Sequence, residues 1–415
     1  MKKYKLGELL DVTRGASLSG EYYSTEGEFI RLTLGNFDYQ NGGFKENTSK
    51  DDLFFTGTVK PQFILNEGDI ITPLTEQTQG LIGSTARIPQ SGVYIQSQDV
   101  GLVKCNGELL DPDFCYYLLP SQIVKKQLSA GAQQTKIRHT SPDKIKDVTV
   151  FLPELSEQRK IGHILRSIDS QIDNLTAINR NLEQVARQLY DYWFVQFDFP
   201  NSEGKPYKSS GGNMAWNEQL KAYIPREWSV SCLEDVFDII MDRCSNAEQH
   251  THYTPIEVIP RKQMSLNETA PIENAISGLC SYKKNDILLS NRRVYFHKVC
   301  IAPFDGITRD TVIVLRPKQS SYLGFLFQLV FSEHFISYAT LHSYGSEQPV
   351  LSWQTVKRYK FATPDVSLIR QYCNLANDII NQVIDNHNQI RHLKSLRDEL
   401  LPMLLNGQVN CDLSN

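Results

Sequence analysis

The sequence predicts an α+β protein with two similar α/β domains, each followed by a long helix. Three observations support this. Two stretches, each long enough for roughly 60 Å of helix, show helical apolar spacing. They are related by a constant shift of 211 residues. The segments before them share one order of strands, helices and loops. We expect the helices to pair as a long coiled coil that separates the domains, with internal pseudo-twofold duplication.

The predicted long helices each carry a heptad seam, in which key positions alternate three and four residues apart. The first seam consists of Leu165, Ile168, Ile172, Leu175, Asn179, Leu182, Ala186, Leu189 and Trp193. The second consists of Ala376, Ile379, Val383, Asn386, Ile390, Leu393, Arg397, Leu400 and Leu404. A helical hairpin inside one core is the alternative. The large separation along the chain favours a paired coil between two domains.

Both helices have predicted end signals. Pro153 precedes Ser156 by three residues, and Pro364 precedes Ser367 by the same interval. A serine hydroxyl can accept a hydrogen bond from a free N–H in the first helical turn, so both serines are predicted N-caps. Gly407 is the predicted left-handed residue that ends the second helix.

The duplication extends into the domains. Residues 4–12 resemble 228–236, and residues 66–88 resemble 283–304. The second pair predicts a strand, a loop and a strand in each half. A later pair predicts an apolar-faced helix, a glycine-containing polar loop and a strand. Similar scaffolds with different loops suit a protein that recognises two different things at a fixed separation.

A segment rich in Gly, Ser, Pro and Asn joins the two halves and is predicted to be a linker. The predicted organisation is a first domain at 1–152, a central helix at 153–197, a linker at 198–227, a second domain at 228–363, a distal helix at 364–407 and a tail at 408–415.

The composition is that of a globular protein of more than one domain. The chain has 415 residues, of which 40% are hydrophobic and 22% are charged. The sequence has no membrane-length apolar run and no apolar signal sequence at its start, so we expect a cytoplasmic location. The 8 cysteines are scattered without a C-x-x-C pair, which disfavours zinc sites and disulfides. The net charge of −4 argues mildly against binding nucleic acid without a partner.

Common catalytic signatures are missing from the sequence. It has no phosphate-binding loop of the G-x-x-x-x-G-K-[ST] type, no adenine-methyltransferase tetrapeptide and no G-x-S-x-G elbow. The His250–His252 pair lacks a third metal ligand and is better explained as a solvated loop. We therefore expect a chain with no catalytic residues, no bound metal and no cofactor of its own.

Four polar loops have the side chains that sequence-specific DNA recognition needs. They are residues 72–87, 129–139, 290–298 and 342–350, two in each half. The predicted DNA-contact residues are Thr75, Gln77, Arg87, Gln133, Gln134, Thr135, Lys136, Arg138, Arg292, Arg293, Tyr295, Lys298, Tyr344, Ser346 and Gln348. If their segment is extended, the adjacent Arg292 and Arg293 point to opposite sides.

The sequence resembles the DNA specificity subunits of type I restriction–modification enzymes. The resemblance covers essentially the whole chain and rests on "LPELSEQRKIGHIL", the "GDII" strand, "GAQQTKI", the "YWFVQFDFPNSEGKPYKSSGG" linker and the closing "LRDELLPMLLNGQV". The second half departs from the pattern, because "GSEQPVLSW" and "PDVSLIRQY" are looser versions of the first-half motifs. The contact residues of the second domain are correspondingly less defined.

The resemblance implies that each domain reads one half of a bipartite, asymmetric sequence in double-stranded DNA. It also implies that the two helices pair as an antiparallel coiled coil and set the length of the unread spacer. Two methyltransferase subunits would dock on the helical region and carry S-adenosylmethionine. Restriction and translocase subunits, which use ATP and Mg, would join through them.

Two other functions are compatible with the sequence. A specificity subunit of a methylation-only or other defence complex would need the same chain. A protein-interaction scaffold that binds no DNA is an alternative of another class. Sequence-dependent binding in a gel-shift assay with the methyltransferase partner would separate that scaffold from the DNA-binding functions.

The seams also predict a register. A buried Asn without a partner costs about 1–3 kcal/mol, so Asn179 and Asn386 should face each other in an antiparallel pair. The resulting layers are Leu165–Leu400, Ile172–Leu393, Leu175–Ile390, Leu182–Val383 and Trp193–Tyr372. One layer places Ile168 against Arg397, whose charge we expect to reach outward. This register would put the domains at opposite ends of a rod, about one DNA turn apart.

Overall fold

The structure is a computed structural model that describes residues 1–38, 42–76, 81–130, 138–244 and 247–408. The chain divides into two compact units. Unit 1 comprises Met1–Ser170 and Leu393–Asn415, and unit 2 comprises Gln171–His392. Each unit therefore contains a part of both long helices as well as strands and short helices.

Unit 1 is built on small, mostly antiparallel sheets. Its strands are β1 (Lys2–Lys5), β2 (Leu10–Arg14), β3 (Tyr23–Ser24), β4 (Phe29–Arg31), β5 (Phe54–Phe55), β6 (Ile70–Pro73), β7 (Thr75–Glu76), β8 (Ala86–Arg87), β9 (Tyr94–Ile95), β10 (Val100–Cys105), β11 (Arg138–His139) and β12 (Thr149–Leu152). The sheet orders are β1-β12, β2-β10-β6-β8, β7-β11 and β3-β5-β4-β9. In the sheet β2-β10-β6-β8, strand β6 pairs antiparallel with β8, with Ile70 opposite Arg87 and Ile71 opposite Ala86.

The short helices of unit 1 are α1 (Leu6–Leu9), α2 (Pro112–Leu118), α3 (Gln122–Ala130) and α4 (Pro142–Lys146). Asp111 caps α2 by accepting a hydrogen bond from the Phe114 N–H at 3.0 Å. One apolar core joins α2 and strand β2 to the long-helix residues Leu165 and Leu404. A second core, around Phe37 and Ile71, supports the β3-β5-β4-β9 sheet.

Unit 2 repeats this arrangement. Its strands are β13 (Met214–Asn217), β14 (Ala222–Pro225), β15 (Ser229–Cys232), β16 (Phe237–Ile240), β17 (Tyr253–Thr254), β18 (Leu279–Tyr282), β19 (Ile287–Ser290), β20 (Val299–Ile301), β21 (Gly306–Arg309), β22 (Val312–Pro317) and β23 (Lys360–Thr363). The sheet orders are β13-β14, β15-β23, β16-β22-β19-β20 and β17-β21-β18. The hairpin β13-β14 lies in the predicted linker.

The short helices of unit 2 are α6 (Leu233–Val236), α7 (Leu323–Phe331), α8 (Glu333–Leu341) and α9 (Trp353–Val356). Every residue of α7 is buried, which fits a sequence in which Gln328 is the one polar side chain. A single large core joins α7 to the aromatic cluster of Trp193, Phe194 and Tyr372.

The two units share part of their topology. The pair β1-β12 matches β15-β23, and the sheet β2-β10-β6-β8 matches β16-β22-β19-β20. The helices α2, α3 and α4 begin 211 residues before α7, α8 and α9. The predicted α+β class with a duplicated α/β domain and two long helices is confirmed. In each half, two helices stand where one was predicted: α2 and α3 in the first half, and α7 and α8 in the second.

The long helices are α5 (Leu155–Tyr190) and α10 (Val366–Leu405). A π-helical turn at Asp191–Val195 continues α5. The predicted serine N-caps are wrong, because both helices begin one residue before the serine. The Asp365 carboxylate caps α10 by accepting the Ser367 N–H at 2.8 Å, since it precedes the helix and is charged.

The predicted end of α10 is confirmed. Gly407 has a φ of 66°, in the left-handed region. Its N–H donates to the Leu404 carbonyl at 3.2 Å, and the Gln408 N–H donates to the Met403 carbonyl at 2.9 Å. This pair of hydrogen bonds is a Schellman motif.

Within unit 2 the helix seam contains the expected asparagine contact. Asn386 Nδ2 donates to Asn179 Oδ1 at 2.7 Å, and Asn179 Nδ2 donates to the Val383 carbonyl at 3.2 Å. Both side chains are buried. The rings of Trp193 and Tyr372 lie 5.7 Å apart, which fits the same antiparallel register.

Within unit 1 the other ends of the helices also pack together. Leu400 packs against the core that contains Leu165 and Leu404. Arg397 Nη1 donates to Asp169 Oδ1 at 2.9 Å, and Tyr117 donates its hydroxyl to Asp169 Oδ2 at 2.6 Å. The charged seam residue is thus neutralised by a neighbouring carboxylate. In the described part of the chain, no helix has both the length and the apolarity needed to cross a bilayer.

Candidate DNA interface

In unit 2 the two predicted polar loops lie side by side. The β19–β20 loop covers residues 290–298, and the α8–α9 segment covers residues 342–350. The Arg293 N–H donates to the Pro349 carbonyl, and the Leu351 N–H donates to the Asn291 carbonyl, at 2.9 and 2.8 Å. Tyr344 and Val350 exchange two backbone hydrogen bonds. Segments more than 40 residues apart in sequence therefore form one surface.

The β19–β20 loop is not extended. Arg293 and His297 adopt left-handed conformations, with φ of 47° and 54°, on either side of a 3₁₀ turn at Val294–Phe296. The expectation that Arg292 and Arg293 point to opposite sides depended on an extended chain and does not apply. Both side chains are exposed. Two guanidinium groups are therefore available on this loop.

Most predicted contact residues of unit 2 are exposed on these loops. Tyr295 is 48% exposed and Tyr344 is 61% exposed. The others that are exposed are Arg292, Arg293, Ser346 and Gln348. Guanidinium, amide and hydroxyl groups can hydrogen-bond to phosphates and base edges, and tyrosine rings can stack on bases. The surface therefore has the chemistry of a nucleic-acid interface.

Lys298 has a different environment. Its ammonium group donates to the carbonyls of Ile256 and Glu257 at 2.6 and 3.2 Å. Burial lowers the pKa of this ammonium group. The side chain therefore fastens the end of the loop to a neighbouring segment, and its predicted DNA contact stays a prediction.

Arg261, which no repeated sequence pattern indicated, lies beside the same loop. Its guanidinium carbon is 3.9 Å from the centroid of the Phe296 ring. The adjacent Lys262 donates its N–H to the His297 carbonyl at 3.0 Å. The "PRKQ" sequence gave a weak signal, since two cations adjoin a proline. The segment that contains Arg261 does not recur in the first half, so the duplication gives no signal for it.

In unit 1 the equivalent loops also pair. Strands β7 and β11 are antiparallel, with His139 opposite Thr75. The Thr140 N–H donates to the Leu74 carbonyl at 2.9 Å. Thr75 is buried, and its hydroxyl donates to Asp99 Oδ1 at 3.0 Å. Arg138 lies in β11 opposite Glu76. The predicted contacts Gln77, Gln133, Gln134, Thr135 and Lys136 lie outside the described residues.

Arg87 belongs to a charged network inside unit 1. Its Nη2 donates to Asp113 Oδ1 at 2.6 Å, and its guanidinium carbon lies 4.6 Å from the Tyr116 ring centroid. Arg166 of α5 donates to the same carboxylate at 2.8 Å. Arg87 thus has a structural partner, and a DNA contact by this residue also stays a prediction.

The described residues contain no group of three or more His, Cys, Asp or Glu side chains placed to hold a metal ion. His252 stacks on Phe304 with ring centroids 3.9 Å apart, and its Nδ1 lies 3.2 Å from the Asp305 carbonyl. The candidate interface is therefore a surface for hydrogen bonds, charge and stacking.

Comparison with known families identifies a matching family. The family described as "Type I restriction modification DNA specificity domain" matches residues 1–184 and again residues 225–387. The two matches correspond to the two halves of the duplication. Together they cover most of the chain.

Individual relatives agree with this match. The chain is similar to the MjaIX specificity subunit of Methanocaldococcus jannaschii, with 23% identity over 72% of this chain and 69% of that one. It is similar to the HindI specificity subunit of Haemophilus influenzae, with 21% identity over 76% and 81% of the two chains. The solved type I S subunit from M. genitalium has the same fold, with a TM-score of 0.58 and 16% identity over 97% and 95%.

Proposed function

Because this chain belongs to the type I restriction–modification DNA specificity family, we propose that it reads a bipartite, asymmetric sequence in double-stranded DNA. One recognition domain, at 1–152, reads one half of the target, and the other, at 228–363, reads the second half. The observation that carries this proposal is the duplication: one scaffold occurs twice, and in each copy backbone hydrogen bonds join the two chain segments that contain the polar loops.

The residues of unit 2 suit this task. Arg292 and Arg293 supply charge for phosphates or a bidentate contact to a guanine edge. Gln348 supplies an amide that can pair with adenine in the major groove. The formal net charge of −4 means that attraction to DNA depends on these local surfaces and on the partner subunits.

The long helices support the proposal that two methyltransferase subunits dock on this chain. Ile178 and Val185 of α5 and Tyr192 of the π-helical turn that follows it lie seven residues apart and are 46, 51 and 39% exposed. The 211-residue shift places Leu396 and Met403 of α10 at the positions of Val185 and Tyr192. Met403 is 39% exposed. An exposed apolar stripe at heptad spacing is a docking surface for a partner helix.

In this proposal the helices also set the length of the unread spacer between the two half-sites. The partner subunits carry S-adenosylmethionine for adenine methylation. Restriction and translocase subunits, with ATP and Mg, join through the methyltransferases. This chain contributes recognition and assembly.

The central experiment maps methylated adenines in a genome that carries this chain with its methyltransferase partner. We expect a split motif with two defined halves and an unread spacer of constant length. A continuous motif would contradict bipartite recognition. If no methylation depends on this chain, and gel shifts with the partner show no sequence preference, the DNA-recognition function fails altogether.

Substitutions then test the loop residues in gel shifts. Alanine at Arg292, Arg293 or Gln348 should reduce discrimination at one base pair by about 1–3 kcal/mol if the side chain contacts a base. It should weaken binding to all sequences equally, with a smaller salt slope, if the side chain contacts a phosphate. A variant with unchanged affinity and unchanged specificity removes that residue from the interface.

A further inference from the structure

Three residues of unit 2 form an exposed stack. The Arg261 guanidinium carbon lies 3.9 Å from the Phe296 ring centroid. The Phe296 and Tyr295 rings meet edge to face, with centroids 4.8 Å apart and an interplanar angle of 64°. Arg261 is exposed, and Tyr295 is 48% exposed. Phe296 is therefore half-buried, and the Arg261 guanidinium and the Tyr295 ring that contact it face solvent.

Hydrogen bonds and left-handed backbone conformations hold the residues of this stack in one arrangement. The Met264 N–H donates to the Glu183 carboxylate of α5 at 2.7 Å, which fixes the segment that carries Arg261. The His297 carbonyl accepts the Lys262 N–H at 3.0 Å. Both Lys262 and His297 have left-handed backbones, with φ of 54°. Such conformations persist only where the surroundings enforce them, so the platform is preorganised before any ligand arrives.

The chemistry of the stack matches that of unpaired bases. An aromatic ring can stack on any base because every base has a π face. A guanidinium above a ring keeps its in-plane N–H donors free for a phosphate. Duplex DNA offers such a base face only where a step is opened. Methyltransferases open a step when they take their target base out of the helix.

We propose that Tyr295 stacks on a base exposed at an opened step of the second half-site, while Arg261 binds the adjacent phosphate. The proposal rests on the proposed function, since the opened step is produced by the methyltransferase subunits. It adds a role to this chain beyond sequence recognition: the specificity subunit stabilises the distorted DNA on which the partner acts.

The experiment uses the complex of this chain with its methyltransferase subunits and a target duplex. 2-Aminopurine is placed in turn at each position of the second half-site, and its fluorescence reports unstacking. In the wild-type complex, we expect one position at which opening of the base step raises the 2-aminopurine emission. Stacking of Tyr295 on the opened base then quenches this emission. Tyr295→Ala should restore high emission there and weaken binding by about 5- to 150-fold, the range for loss of one stacked base.

Matched variants separate the possible causes. Tyr295→Phe keeps the ring and should behave like the wild type, whereas loss of binding would show contact through the hydroxyl and overturn stacking. Arg261→Lys should weaken binding modestly, and Arg261→Met should lower the salt slope by about one. Tyr22→Ala is the control, because Tyr22 is 45% exposed and lies edge to face with Phe55 in unit 1.

The outcomes distinguish this inference from the proposed function. If the wild-type complex shows no sequence-specific binding, both fail. If it binds its target but Tyr295→Ala and Arg261→Met match the wild type in affinity and in fluorescence at every position, the inference alone is wrong. Thermal unfolding of each variant checks that the exposed substitutions leave the fold intact.

Discussion

The two halves of the duplication keep one spacing from α2 to α5 and from α7 to α10, and they differ most in one of the sheets that precede these helices. Helices α2 to α5 correspond to α7 to α10 at a constant shift of 211 residues. Between β2 and β10, unit 1 forms a four-stranded sheet from β3, β5, β4 and β9. Between β16 and β22, unit 2 forms a three-stranded sheet from β17, β21 and β18.

This difference indicates that each half has a constant structural part and a variable part. The constant part, α2 to α5 in the first half and α7 to α10 in the second, contains the short helices that pack on the long helix. An insertion or deletion there would disrupt the packing of the short helices and of the long helix. The variable part packs on its own small core, around Phe37 in unit 1 and Tyr282 in unit 2. A separate core allows this region to diverge without disturbing the scaffold. We infer that the two halves differ in what they bind through this variable part together with the polar loops at 129–139 and 342–350, which lie outside it.

The largest expected effect comes from exchanging one whole domain. Replacing residues 1–152 with the corresponding domain of a relative should replace one half of the DNA target and leave the other half unchanged. The physical reason is that each unit has its own cores and its own pair of polar loops. Methylation mapping checks the result. If both halves of the target change together, the domains do not read independently.

Much of this architecture could be predicted because it depends on periodic patterns. The heptad seam gave the asparagine pair, and the constant shift gave the repeat. The loop pairings could not be predicted, since Arg293 meets Pro349 through backbone groups that have no sequence signature. The left-handed Arg293 was also missed, because this conformation is uncommon for a residue other than glycine. Arg261 lies in a segment that the repeat does not match.

The helix crossing in each unit offers a second test. A Cβ at Gly162 of α5 would lie 2.8 Å from the Phe114 backbone nitrogen of α2. At the equivalent crossing in unit 2 the small residue is on the other helix: a Cβ at Gly324 of α7 would lie 2.7 Å from the Ala376 Cβ of α10. A glycine therefore permits the close approach of the short helix and the long helix in both units. It lies on the long helix in unit 1 and on the short helix in unit 2.

Gly162→Ala and Gly324→Ala should each lower the free energy of unfolding by about 1–3 kcal/mol, the usual cost of overpacking. Chemical denaturation measures the loss. Gly107→Ala is the control, because a Cβ there meets no atom within 4 Å. Unchanged stability in either glycine variant would mean that the helices at that crossing can separate without cost.

The asparagine pair in the seam should have a similar or slightly smaller effect. Asn179→Leu or Asn386→Leu leaves one buried amide without its partner, at a cost of about 1–3 kcal/mol. The double variant removes both amides and should recover most of that loss, since two leucines pack in a seam. Asn181→Leu, at an exposed position of the same helix, is the control. Additive losses in the double variant would show that the two amides are not coupled.

The smallest effect concerns a carboxylate found in only one of the two repeats. Glu183 of α5 is largely buried beside the Met264 N–H, whereas the 211-residue shift places Lys394 at the equivalent position of α10. Burial raises the pKa of the Glu183 carboxyl from its usual 4.5 to about 7, although the Met264 hydrogen bond and Arg187 act in the opposite direction. The folded protein therefore binds this proton more tightly than the unfolded chain does.

The sign of the pH dependence follows from this raised pKa. The contribution of Glu183 to stability is fully present below pH 4.5, and it falls as the pH rises towards about 7. Glu183→Gln keeps an acceptor for Met264 and cannot ionise. It should match the wild type near pH 5 and exceed its stability at pH 8 by about 1–2 kcal/mol, after allowance for solvent screening.

The difference between variant and wild type is the quantity to measure, because His297 acts in the opposite direction. Burial lowers the pKa of the His297 imidazole, so its contribution to stability increases as the pH rises towards 6.5. Both contributions are present in the wild type, and subtraction at each pH leaves Glu183 alone. Glu203→Gln, in a solvent-exposed ion pair with Lys205, is the control for loss of an exposed carboxylate. If the difference between Glu183→Gln and the wild type does not change from pH 5 to pH 8, the carboxylate is not desolvated, and unit 2 does not differ from unit 1 in this respect.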